Sequence, residues 1–338
     1  MPASAGMTEF KMELETLGIC IPLPQSHISL PMPPKTYTHA PQADFVLPFD
    51  LPDVGLRGRL VRLEASSTSA LSAHTLPEPA ARAVGETLAL AAILGSALKL
   101  DGRLTVQTKS DGPMDLVTAD YFGASTTRPV GLRGYGRVDA ERFAALPEPV
   151  AFDALAGDGS MAITIEPQRG GKTYQGIVEL NPAGIASSAE TYFAQSEQLP
   201  TVLRLAAAPL YVPGAPTPTW RAGGIMLQAT PDGAGAEDDW ERLTAFLATV
   251  EDIELLDTAL PAEQLLWRLF HEDETRVQPF VATEFRCGCK PDRIAAVLKS
   301  YAPKDRAGLA DPDGLIRARC EFCGTVHVLD PKELEKAE

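Results

Sequence analysis

The spacing of apolar residues changes period several times along the chain. Between Glu78 and Leu100 it is helical, with Val84, Leu88, Ala91, Leu94 and Leu98 on one face. Gly85, Ala92 and Gly95 leave room for a close neighbour, and the run is apolar on most sides, which predicts a central buried helix. Elsewhere the period falls to two. Leu60–Leu63, Leu104–Lys109, Leu116–Ala119, Leu132–Val138, Met161–Glu166, Tyr174–Leu180, Val202–Ala207 and Gly223–Ala229 read as short strands. Asp111-Gly112-Pro113, Gly170-Gly171 and Pro231-Asp232-Gly233 supply turns, and a helix is expected over about Ile185–Gln198. Residues 66–79 read as a linker and 209–220 as a proline-rich loop. The pattern predicts an α+β body over 45–236, with antiparallel strands around one buried helix.

The pattern changes again at Glu237. From there to Glu274 there are twelve acidic residues and two basic ones. Asp239–Val250, Ile253–Ala259 and Ala262–Phe270 fit short amphipathic helices, too short to persist without packing. Like-charge repulsion weakens them further, so 237–284 is expected to be a metastable acidic helical linker. Val277–Thr283 reads as a strand leading out of it. In 285–338, Pro291 starts a helix through Leu298, Ile316–Arg319 and Thr325–Leu329 form a hairpin, and a helix closes the chain at Lys332–Glu338. At the other end, 1–44 reads as a weakly structured, proline-punctuated extension with a short helix at Glu9–Leu17.

Charge narrows the function. The chain has 45 acidic and 30 basic residues, a net charge of −15, and no basic stripe with interleaved aromatics, so a nucleic-acid partner is not expected. The N-terminal residues lack a secretory pattern and no long uninterrupted apolar stretch follows, so neither export nor a membrane partner is expected. The expected location is the cytoplasm, where thiols stay reduced and persistent disulfides are rare.

Four of the five cysteines sit in the last sixty residues. Cys287 and Cys289 form a C-x-C pair, Cys320 and Cys323 a C-x-x-C pair, and thirty residues separate them. Two closely spaced pairs can place four thiolates in a tetrahedron around one zinc ion. Gly288 and Gly324 let the backbone fold around it, and Arg286, Lys290, Arg293, Arg317 and Arg319 can offset the anionic cluster. His327 follows the second pair but is not needed as a ligand. Cys20 stands alone and carries no assigned role. Catalytic signatures are missing: Gly170-Gly171-Lys172-Thr173 has the wrong glycine spacing for a phosphate loop, and no G-x-S-x-G or H-E-x-x-H occurs. No catalytic residue is assigned, and an enzyme is not expected. These residues alone leave open a zinc-ribbon-like binding or regulatory protein, and a thiol oxidoreductase using Cys320-Glu321-Phe322-Cys323.

The cysteine spacing resembles that of the redox-regulated heat-shock holdase family, the thirty-three-kilodalton heat-shock proteins. Other stretches share the resemblance: Arg57-Gly58 with Val61-Arg62, Gly85-Glu86-Thr87-Leu88, Asp111-Gly112-Pro113, and the run from Tyr174 to Leu180. The run from Tyr192 to Thr201, Ala222-Gly223-Gly224 and the segment from Cys320 to Gly324 complete it. The resemblance implies a chaperone that binds unfolded clients. It implies one zinc per chain on Cys287, Cys289, Cys320 and Cys323 in the reduced state. On oxidation it implies disulfides Cys287–Cys289 and Cys320–Cys323, zinc release, unfolding of the linker, and a homodimer as the active form.

Overall fold

The computed structural model describes residues 28–29, 44–98, 100–168, 170–230 and 237–331. The helix expected at Glu9–Leu17, Cys20, the Pro231-Asp232-Gly233 turn and the helix at Lys332–Glu338 lie outside the described residues. Strand β1 (Ile28–Ser29) falls in the expected extension. Two paired strands then open the body, β2 (Asp44–Leu51) and β3 (Leu56–Leu63). Both faces of β2 and β3 are covered, so their sequences lack the polar alternation of a half-exposed strand. That is why β2 is not legible as a strand.

The expected linker at 66–79 is in part a helix, α1 (Ala65–Leu71). Its serines and threonine are poor helix formers, and the missing stabilisation arrives from outside the segment. Asp44 Oδ1 accepts from the amides of Glu64 at 2.6 Å and Ala65 at 2.9 Å, and Oδ2 accepts from Ser66 at 2.6 Å. A carboxylate 20 residues upstream thus satisfies the amides that a new helix leaves unpaired.

Helix α2 (Glu78–Ala97) is the expected buried helix. It is long and apolar enough to cross a bilayer, but here it packs on sheet strands, with Leu88, Ala89, Leu90, Ala91, Ala92 and Ile93 fully buried. Close approach is possible where glycines face neighbours. A Cβ on Gly95 would lie 2.2 Å from the Tyr121 ring, and one on Gly85 would lie 2.5 Å from Ala207. A meander follows: β4 (Gly102–Ser110), β5 (Leu116–Phe122) and β6 (Val130–Arg137). Two short helices, α3 (Ala140–Ala144) and α4 (Phe152–Ala156), lead to the hairpin β7 (Gly159–Pro167) and β8 (Tyr174–Glu179). Helix α5 (Ile185–Tyr192) widens into a π turn at Phe193–Glu197 before the long hairpin β9 (Thr201–Leu210) and β10 (Thr219–Ala229).

Three helices then cross the second face of the sheet: α6 (Glu237–Ala248), α7 (Asp252–Leu256) and α8 (Ala262–Phe270). Their apolar stripes meet β2, β3, β9 and β10 in a second core, where Leu243, Leu247, Leu255, Leu265, Leu266 and Phe270 are completely buried. The Phe270 ring stacks on Phe49 with centroids 5.7 Å apart. The short strands β11 (Arg276–Val277) and β12 (Val281–Phe285) follow. A small terminal unit holds α9 (Pro291–Lys299), α10 (Pro303–Gly308) and the hairpin β13 (Ile316–Arg319) and β14 (Val326–Leu329).

The main sheet runs β8-β7-β4-β5-β6-β12-β2-β3-β10-β9, with β11 paired to β2 off this path and β1 paired to β11. Strand β12 therefore sits in the middle. It pairs antiparallel with β2 through Val281–Val46 and Ala282–Phe45, and parallel with β6 through Thr283–Val130, Glu284–Gly131 and Phe285–Leu132. The two half-sheets are joined only through this strand among the described residues.

On α2, half-buried Glu86 lies near α7. Burial pushes its carboxyl up to about 7, Asp252 adds to the rise and Arg82 opposes it. A folded value above the unfolded one means that the neutral acid is favoured in the folded state. This contribution is present in full below about 4.5 and is lost as pH rises through about 7. Glu86→Gln is expected to flatten the decline in stability between those pH values. Denaturant melts at a series of pH would show this, and an unchanged slope would refute it.

Candidate metal centre

Cys287 lies two residues beyond β12. The amide of Arg286 donates to Leu132 O at 2.8 Å, continuing the parallel pairing with β6 up to the first cysteine. The Arg286 guanidinium turns back to Pro129 O and to Glu284. Gly288 separates the two thiols, and Pro291 starts α9 directly after Lys290.

The second pair sits at the turn of the β13–β14 hairpin. Thr325 O accepts from the Cys320 amide and Cys320 O accepts from the Gly324 amide, both at 2.9 Å. Gly324 has φ +68°, a conformation that costs little only without a Cβ. The turn holds both sulfurs on one side of a tight knuckle. Beneath it, Leu298, Ile316 and Leu329 are the buried apolar residues of the unit's small core.

The sequence brings these four thiols together as expected. All four sulfurs lie within 4.8 Å of one another, with Cys287 and Cys320 3.6 Å apart and Cys289 and Cys323 3.4 Å apart across the pairs. Zinc–thiolate bonds of about 2.3 Å place the sulfurs of a tetrahedron about 3.8 Å apart. The donor set and its spacing therefore fit a tetrahedral, thiophilic ion, and the cluster can hold a metal. Burial pushes the Cys287 thiol up, and burial with neighbouring sulfurs pushes Cys289 above the usual thiol range. At Cys323 burial also opposes ionisation, but Thr325 and the adjacent sulfurs favour the thiolate and bring it to about 6. Thiols this close cannot all ionise at once without a cation among them.

Several of the nearby cations have other partners. Arg317 pairs with Asp311 and Asp313, and Arg319 donates to Ala73 O at 2.6 Å. Arg293 donates to Gly288 O at 3.3 Å. His327 lies on β14 outside the sulfur cluster.

The sequence does not announce how the knuckle docks on the body. Phe322, between Cys320 and Cys323, lies against Arg133 of β6, with the guanidinium carbon 3.9 Å from the ring centroid. That guanidinium is fixed from behind by buried Asp120, 2.6 Å away. Phe322 also meets Tyr135 edge-on, and Tyr135 meets His74. Burial, followed by its hydrogen bond with Glu321, pushes the Tyr135 hydroxyl up to about 12. A Cβ on Gly324 would stand 3.2 Å from Ala73 O. The available signal was an aromatic residue inside a polar C-x-x-C turn, which has nothing local to pack on.

Fold and site together define a class: an α+β body bearing a C-terminal four-thiol chelating unit that rests on it. A family model described as Hsp33 protein matches residues 44–330. The chain belongs to the Hsp33 family, whose members are chaperones rather than enzymes. A 33 kDa chaperonin of Caulobacter vibrioides is 40% identical over 295 residues, covering 85% of this chain and 95% of that protein. A 33 kDa chaperonin of Escherichia coli is 34% identical over 294 residues, covering 87% and 94%. The crystal structure of the 33 kDa chaperonin from Thermotoga maritima shares the fold, with a TM-score of 0.70 at 21% identity over 86% of this chain and 97% of that one.

Cys287→Ser is expected to lower bound metal in the reduced protein, read by metal analysis after dialysis. Unchanged content would remove Cys287 from the ligand set. Phe322→Ala should keep the metal but loosen docking by about 0.5–2 kcal/mol, the range of a cation–π contact. Faster amide exchange in β13 and β14 would show this, and wild-type protection would refute it.

Proposed function

We propose that this protein is a holdase kept inactive by thiolate-bound zinc and activated when its cysteines form disulfides. The observation that carries this reading is the convergence of Cys287, Cys289, Cys320 and Cys323 in a unit with so small a core. A bound zinc ion would supply the cross-link and folding free energy that this core lacks. The chain's own residues then provide the switch. Oxidation removes two electrons from the thiolates of Cys287 and Cys289, and two from those of Cys320 and Cys323. Forming each disulfide reduces one hydrogen peroxide, with two protons from solvent, to two waters, or one hypochlorous acid, with one proton, to water and chloride. Sulfurs joined in disulfides no longer form a four-thiolate set, so oxidation and metal release are coupled.

The consequences run through two contacts. A disordered knuckle withdraws Phe322 from Arg133, and disorder around Cys287 reaches β12. The acidic segment 237–284 then loses its support and unfolds, uncovering apolar surface for unfolded clients. In the resting cluster sulfurs of different pairs also touch, so the pairing is decided as the cluster opens. We place the active protein in the cytoplasm as a homodimer formed through the body, in keeping with the family resemblance.

The test is aggregation suppression with a thermally unfolding client. The reduced, zinc-loaded protein should be inactive and the peroxide-treated protein active; activity in both states or in neither would refute the switch. Limited proteolysis of the same samples should show new cleavage within 237–284 only after oxidation. Equal protection before and after would refute the unfolding step. Mass mapping that finds Cys287–Cys320 or Cys289–Cys323 bonds would overturn the pairing.

A further inference from the structure

Two arginines of β3, Arg57 and Arg59, share the face of the strand that carries Val61 and Leu63 into the first core. Arg57 is half-buried and partly satisfied. Its Nε and one terminal nitrogen both donate to Gln228 Oε1, at 3.1 and 2.7 Å, and Gln228 is itself held by donating to Thr201 Oγ1 at 2.9 Å. The other terminal nitrogen of Arg57 makes no hydrogen bond among the described residues. Arg59 lies deeper. The residue is only 7% exposed, and its Nε is buried with no hydrogen-bond partner. Among the described residues, no hydrogen bond or ion pair joins its guanidinium to anything.

The neighbourhood does not supply the missing acceptor. Pro48 of β2 and Met226 of β10 flank Arg59 in the sheet. Asp50 stands opposite Arg57 but accepts from Gln278 Nε2 at 2.7 Å, and Glu197 accepts from the Tyr192 hydroxyl at 3.2 Å. Burial pushes the Glu197 carboxyl up, which weakens it further as a counter-charge. Burial also lowers Arg59, to about 10, with Arg57 acting in the same direction and Asp50 against it, so the group stays charged at neutral pH. Tyr121 of β5 is the other polar neighbour, buried with its ring against Gly95 in the last turn of α2. Its hydroxyl makes no hydrogen bond among the described residues. Burial pushes that hydroxyl up to about 12, against the pull of Arg59, so it remains a donor.

Two guanidinium groups and a phenol thus lie together with donors to spare and no free acceptor. A buried charge without a partner is costly, and a counter-ion offsets that cost. A planar carboxylate is satisfied by one guanidinium through two parallel bonds, whereas a tetrahedral oxyanion turns acceptors toward several donors at once. We propose that Arg59, Arg57 and Tyr121 form a binding site for a free tetrahedral oxyanion of the phosphate class. The strands that carry these residues belong to different halves of the sheet, so the ion would tie the halves together under the end of α2. The depth of Arg59 favours a free ion over a phosphate group attached to a larger molecule. This site lies outside the thiol chemistry and does not depend on it.

The probe is inorganic phosphate, titrated by calorimetry into the full-length, reduced, zinc-loaded protein at constant ionic strength, with acetate and adenosine monophosphate as separate arms. Wild type should bind phosphate saturably, and acetate and the nucleotide at least about tenfold more weakly. Arg57→Gln should weaken phosphate binding about tenfold, the scale of one lost charged hydrogen bond. Arg59→Met should abolish it. Thermal melts separate binding from a structural role. Phosphate raises the melting temperature of most proteins by exclusion from their surface, so the informative quantity is the gain in wild type beyond that in the variant. Arg59→Met removes an unpaired charge, so it should melt no lower than wild type in chloride and lose the extra gain in phosphate. If Arg59→Met does not fold, Arg57→Gln decides the matter. Absence of saturable phosphate binding in wild type, or wild-type affinity in Arg57→Gln, would overturn the site. A melting temperature of Arg59→Met lowered equally in chloride and in phosphate would overturn it too, leaving Arg59 a structural cation. Acetate bound as tightly as phosphate would overturn the tetrahedral class, and adenosine monophosphate bound as tightly would overturn the free ion.

Discussion

The structure depends on the pairing of β12. Strands β6 and β2 make no ladder with each other among the described residues; each bonds instead to this five-residue strand between them. Its hydrogen bonds are therefore both the centre of the sheet and the attachment of the thiol unit. The pairing passes from β2 at Val281 and Ala282 to β6 at Thr283, Glu284 and Phe285, so every residue of the strand is tied to one half-sheet or the other. The segment nearest the first cysteine is thus tied most directly to the order of the body.

The second core has a related logic. Helices α6, α7 and α8 are individually too short to persist, and their two basic residues are both spent on ion pairs between elements, Arg268 with Glu254 of α7 and Arg242 with Asp273. What holds them is one apolar stripe each, together with arginines that satisfy carbonyls between and after the helices. A segment held entirely by its neighbours can be both fully folded and easily released. Complete burial of Leu243, Leu265 and Phe270 is thus compatible with a low intrinsic tendency to be helical.

Local patterns were legible in the sequence wherever local chemistry decides structure. The α2 stripe, the strand periods, the three acidic helices and Pro291 at the start of α9 follow from neighbours within a few residues. The four-thiol cluster was legible because close spacing fixes each pair and soft-ligand chemistry explains their convergence. What was not legible depends on distant partners. Helix α1 needs Asp44, and the position of β12 needs β2 and β6. Phe322 needs Arg133, and the role of Arg62 needs the carbonyls of a helix far along the chain. Arg62 did leave a trace: a cation in the strand LRGRLVRL, on the same face as Leu56 and Leu60, which already marks that face as internal. Such a residue asks for buried acceptors, but not which ones.

The two cysteine pairs differ in how much chain lies between them and something rigid. From Phe285 to Cys287 the path is two residues, about 7 Å even when fully extended. Between Cys289 and Cys320 there are thirty residues, with only α9, α10 and β13 to stiffen them. One side of the cluster therefore has no slack and the other has a great deal. Small movements of the second pair can be absorbed along its own loop, whereas any shift of the first pair beyond a few ångströms must pull on the middle of the sheet.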